Sequence, residues 1–175
     1  MSLTTLSLTT LALIALFPLL VWRVYSRLKT QMARQRSILS RHYTGLFVFA
    51  AMVLVPGSEL VDRPFQLAAL AGGAIAGMAL GSYGLRRTRF EDTPEGYFFT
   101  PPARMGILVA MLLVARVLYL GIEIYMNQGS SQPNPRFTDS PITMLCLGLT
   151  AAYFATFSAS LMRWRQRKRK EVSKM

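Results

Sequence analysis

Among 175 residues there is one cysteine, one histidine and only eight acidic side chains. A lone Cys146 makes no internal disulfide, no CxxC redox pair and no multi-thiolate metal site, and His42 has no second histidine or cysteine to join it. No cofactor or metal is therefore expected. The HExxH, GxSxG and phosphate-loop patterns are missing, as is a Gly-rich dinucleotide fingerprint, and Glu91, Asp92 and Glu95 cluster with no histidine nearby. No signature of an enzyme is left.

The shortage of acids leaves a formal charge of +12 from 20 lysines and arginines. In a soluble protein that balance would suggest nucleic acid. Here 52% of the residues are apolar and lie in long blocks, the mean hydropathy is positive, and the basic residues fall between and after those blocks. Membrane topology accounts for the charge first, and nucleic acid is not expected as a partner.

The blocks read as five transmembrane spans at about residues 3–22, 43–55, 65–85, 105–125 and 141–162, forming one integral membrane domain over 1–175. Nothing basic precedes span one and no small-residue cleavage site follows it, so it reads as a retained anchor, with Pro18 as a candidate kink. Span two is short, ending at Pro56-Gly57, and its rival is a re-entrant segment. Charge decides between them. Six basic residues lie in loop 23–42, four in loop 86–104 and seven in tail 163–175, against Arg63 and Arg136 in the remaining links. With span two crossing fully, every basic segment falls on the cytoplasmic side and the N-terminus lies outside. Without it, the first basic loop would oppose the other two.

Span three carries Gly73, Gly77 and Gly81 at four-residue intervals. That spacing puts a flat strip on one helix face for a close-packed neighbour, with internal packing preferred to dimerisation. Within span four, Arg116 needs a partner, because a charge inside the bilayer is costly unless paired or wetted. Glu123, two turns on, shares its face with Tyr119 between them, but the rise of about 10 Å makes a direct bridge a stretch. Glu59 or Asp62 from the outer link is an equally good candidate. Arg116, Tyr119 and Glu123 form the candidate intramembrane polar site, either a clamp fixing helix register or the lining of a polar path.

Between spans three and four, Thr88–Glu91 and Tyr97–Thr100 flank the turn formers Asp92-Thr93-Pro94-Glu95-Gly96, which reads as a β-hairpin. Phe90, Tyr97, Phe98 and Phe99 would sit at headgroup level, with Arg86, Arg87 and Arg89 reaching lipid phosphates and Glu91 beside them. Such a loop is either an interfacial lid or a partner-docking surface. A lipid-acting enzyme would require a polar cavity lined by Arg89, Glu91, Asp92 and Tyr97. The tail, with Trp164 at its start, suits anionic headgroups.

Three stretches, Thr88-Arg89-Phe90-Glu91, Gly96-Tyr97-Phe98-Phe99-Thr100-Pro101 and Ala115-Arg116-Val117-Leu118-Tyr119, resemble the CcdC-like family of small bacterial membrane proteins. The likeness covers spans three to five and, more weakly, the first basic loop. It implies a similar run of spans, an aromatic loop, an arginine in the next span matched by Arg116, a bacterial inner-membrane setting and an association with cytochrome c biogenesis. The chain lacks the cysteine pair and haem-ligating histidines that direct thiol or haem chemistry would need.

The reading is thus an all-α membrane protein of five transmembrane helices with a small cytoplasmic β-hairpin between helices three and four. It implies a non-enzymatic accessory, scaffold or assembly protein with a membrane-protein partner, against a small oligomeric transporter or channel.

Overall fold

A computed structural model describes residues 8–31, 35–37, 39–93, 96–127 and 136–172. The chain is mostly helical, in the order α1 (Leu8–Gln31), β1 (Gln35–Arg36), α2 (Leu39–Glu59), α3 (Pro64–Arg86), β2 (Arg89–Thr93), β3 (Gly96–Thr100), α4 (Ala103–Met126) and α5 (Pro141–Val172). Among the described residues, three helices are long and apolar enough to cross a membrane: α3, α4 and the Pro141–Lys168 part of α5.

The axis of the bundle is the pair α3 and α5. Gly73, Gly77 and Gly81 are buried on one face of α3. A Cβ added to Gly73 would stand 2.2 Å from the carbonyl oxygen of Leu145, and one on Gly81 2.9 Å from that of Tyr153. Matching ascending positions on the two helices make them parallel. Gly148 completes the contact from α5, where an added Cβ would meet the Leu70 oxygen at 2.3 Å. Side chains are excluded, so backbone packs on backbone, the close approach that holds helices together where lipid offers no hydrophobic drive.

The helix over the second apolar block is longer than the sequence suggests, though it is not among the three helices apolar enough to cross a membrane. α2 runs 21 residues and takes Pro56 inside it. Proline removes one ladder donor, yet the Pro56 carbonyl still accepts from the Leu60 N–H at 3.1 Å, and the Ser58 hydroxyl donates to the Val55 carbonyl at 2.7 Å. The turn is therefore held on both sides of the proline. α2 packs antiparallel on α5, with Phe49 stacked on Phe154 at 5.2 Å and Gly45 beside Ser158. Likewise α1 continues to Gln31, well into the basic loop, with Pro18 inside it.

α4 joins α5 where the Thr150 hydroxyl lies in donating reach of the carbonyls of Cys146, at 2.8 Å, and Val109, at 3.2 Å. At one end of the bundle Leu60, Leu70, Met144 and Leu147 form a buried cluster. At the other end Phe99, Phe157 and Leu161 form a second, backed by Leu85.

The hairpin is present, and a further strand joins it. β2 and β3 pair antiparallel with Arg89 opposite Thr100 and Thr93 opposite Gly96, while β1, from the first basic loop, pairs with β3 through Gln35 and Phe99. Gly96 takes a positive φ of 134°, which a side chain would resist, and the Thr93 hydroxyl donates to its carbonyl at 2.8 Å. Pro94 and Glu95 lie outside the described residues. A two-residue strand gives little local signal, which is why β1 escapes a sequence reading.

Candidate functional site

Two groups of polar and aromatic residues stand out, one at each end of the α3–α5 pair. The first is the sheet end. Alternation along the strands puts Phe90, Tyr97 and Phe99 on one face, and Arg89, Glu91 and Phe98 on the other. The first face packs on α5. Phe90 and Tyr97 meet the Trp164 ring at 4.7 and 5.8 Å, the Arg165 guanidinium lies 4.1 Å over the Tyr97 ring, and Phe99 contacts Phe157 at 6.3 Å. Phe99 is only 5% exposed, so this aromatic belongs to the core and not to the headgroup layer. Burying it contributes about 1.5–3 kcal/mol to docking of the sheet. Arg87 is likewise engaged, donating to the Tyr83 hydroxyl at 2.8 Å, while Arg86 and Arg89 are exposed.

Beneath the sheet, Ser37 and His42 form a buried pair, the serine Oγ 2.9 Å from His42 Nε2. The Ser37 N–H donates to the Tyr97 carbonyl at 2.9 Å, and the imidazole leans on the Phe99 ring at 5.8 Å. Burial, and secondarily the charge of Arg165, hold the His42 pKa below its ordinary 6.5. The arrangement staples the first basic loop to the sheet. Nothing in the spacing of one serine and one histidine announces it.

An open cleft of about 340 Å³ lies between sheet and tail, lined by Leu85, Phe90, Ser160, Arg163, Trp164 and Arg167. Its lining does not include Arg89, Glu91 or Tyr97, three of the four residues that a lipid-acting catalytic cavity would require; the Asp92 side chain lies outside what the structure describes.

The second group surrounds Arg116. Its Nε donates to the Thr143 hydroxyl and its Nη2 to the Ser140 hydroxyl, each at 2.8 Å, while the guanidinium lies 5.0 Å over the Tyr119 ring. No Arg116–Glu123 bridge forms among the described residues, and neither Glu59 nor Asp62 takes its place. The reason is positional. Arg116 is central in α4, but α4 is displaced along the bundle so that this residue lies level with the start of α5, where the Ser140 and Thr143 hydroxyls are within reach. Thr143 is completely buried. Beside it, Arg63 pairs with Asp139, and Gln66 donates to the Asp139 carbonyl at 3.3 Å, tying the start of α3 to the segment before α5. The Arg63 contact, followed by the Arg136 N–H, holds the Asp139 carboxyl below its usual range.

Among the described residues no cluster of three or more His, Cys, Asp or Glu side chains could hold a metal ion. The model of the CcdC protein family matches residues 4–171, nearly the whole chain and well beyond spans three to five. No curated protein and no solved structure matches it.

Proposed function

The chain belongs to the CcdC protein family, and from that premise we propose that it is a non-enzymatic accessory protein of the bacterial inner membrane that scaffolds or assembles a membrane partner. The observation that carries this reading is the sheet-end module. Strands from two separate basic loops fold together on the α5 extension and are stapled by Ser37 and His42. Such a rigid knob presents exposed Arg89 at its surface as the centre of a docking site. Arg116, Tyr119 and Glu123 are read as a register lock, supported by the hydroxyl and ring contacts that already engage Arg116. A link to cytochrome c biogenesis rests on the family name alone.

The same proposal takes α1 and α2 as spans, giving five in all, with the N-terminus outside and the sheet and C-terminus cytoplasmic. Two features support it. α2, at about 31 Å by helical rise, runs beside α5 from Tyr43, whose hydroxyl accepts from Gln166, to Leu60 in the opposite cluster. The basic residues also gather at the sheet end. Anionic headgroups would then face the basic loops and tail.

Native mass spectrometry of protein extracted in gentle detergent tests the reading. A second protein at fixed stoichiometry is the expected result. A homo-oligomer carrying lipid alone would favour the transporter alternative, with Arg116, Tyr119 and Glu123 along its path.

A further inference from the structure

We propose that the cleft between the sheet and the α5 extension is a specific site for one anionic phospholipid. The inference goes beyond the accessory role and does not depend on it.

Three features converge. First, the cleft is amphipathic in one direction. Leu85 and Phe90 give it an apolar wall at the end of the apolar part of α5, while Arg163 and Arg167 stand at its rim. Second, the two arginines are four residues apart on one helix, hence one above the other on the same face. Like charges at this spacing oppose each other by a few tenths of a kcal/mol in an isolated helix. Among the described residues neither makes an ion pair with a carboxylate. A phosphodiester between them would relieve that repulsion and accept charge-assisted hydrogen bonds from both guanidinium groups. The Ser160 hydroxyl, one turn nearer the apolar part of the helix, is placed to donate to the ester oxygens. Third, the wall is held in shape before anything binds. Trp164 is fixed between Phe90 and Tyr97, so little ordering is needed on association.

The site's position selects a lipid over a free anion. Its basic rim begins immediately after the apolar run of α5 that ends at Met162, where a headgroup sits when its chains lie in the bilayer. A soluble phosphate would use the arginines and leave the Leu85 and Phe90 wall wet. A phospholipid uses both.

The test is native mass spectrometry of the full chain exchanged into micelles with phosphatidylglycerol or phosphatidylcholine. R163Q/R167Q is compared with R86Q/R104Q, which removes equal charge from exposed positions outside the cleft, and thermal unfolding checks that both fold. The proposal expects one retained phosphatidylglycerol per chain, retention at least tenfold lower in R163Q/R167Q, near-normal retention in R86Q/R104Q, and no displacement by excess glycerol phosphate. Equal losses in the two double variants would show diffuse attraction to the basic end and overturn it. Equal retention of phosphatidylcholine, or displacement by glycerol phosphate, would also overturn it.

Discussion

Gly77 of α3 lies so close to α5 that a Cβ built on it would stand 2.3 Å from the carbonyl oxygen of Leu149. No real Cβ approaches a backbone oxygen so closely, so any side chain there must part the two helices. Gly77→Ala is therefore expected to destabilise the protein by about 1–3 kcal/mol, the usual cost of overpacking. Gly72, with nothing within 4 Å of an added Cβ, provides the control: Gly72→Ala should be neutral or stabilising. Denaturant unfolding in detergent micelles compares the two.

Arg116 and Thr143 form a second testable pair. Removing the arginine leaves a buried hydroxyl without its side-chain partner, and removing the hydroxyl leaves the guanidinium short of an acceptor. Arg116→Leu and Thr143→Val are each expected to cost about 1–3 kcal/mol, with the double variant less damaging than their sum. A register lock predicts that Arg116→Leu still inserts and folds. Additive costs in the cycle would show that the two groups do not act together.

His42 sets a pH dependence whose sign is fixed. Its folded pKa lies below the ordinary 6.5, chiefly because it is buried. The unfolded chain then binds the proton first on acidification. Stability contributed by neutral His42 is present above about pH 6.5 and declines as the pH falls through the folded pKa. Amide exchange in β1 and β3 should accelerate over that window, and His42→Phe should remove the effect. An unchanged acid response in the variant would assign it elsewhere.

Topology can be read by labelling on a Cys146→Ser background. With five spans, a membrane-impermeant maleimide added to intact spheroplasts should label Asp62→Cys and spare Lys170→Cys until the membrane is opened. Equal labelling of both before opening would place the two ends of the bundle on one side.

Some of this was legible in the sequence for clear reasons. The four-residue glycine spacing and the turn formers ending at Gly96 are local signals, and they lie in the α3–α5 contact and in the β2–β3 hairpin. The identity of the helix facing the glycines is not local: Gly148 meets Leu70 across a sequence gap that no periodicity reports. Pro56 misled, because proline usually ends a helix while here neighbouring carbonyls and Ser58 keep the turn satisfied. The partners of Arg116 were hidden for another reason. Charge suggests a carboxylate, whereas the offset of α4 along α5 brings hydroxyls instead. Trp164 and the hairpin aromatics each read as membrane-interface residues, and only the fold shows Trp164 packed against Phe90 and Tyr97.

The most direct test of the accessory role is site-specific photo-crosslinking in intact cells from a photoreactive residue replacing exposed Arg89, with Tyr119 on α4 as the comparison site. The account predicts one discrete adduct with a different protein from position 89 that is absent from position 119. No protein adduct from position 89, or adducts only between copies of this chain, would contradict it.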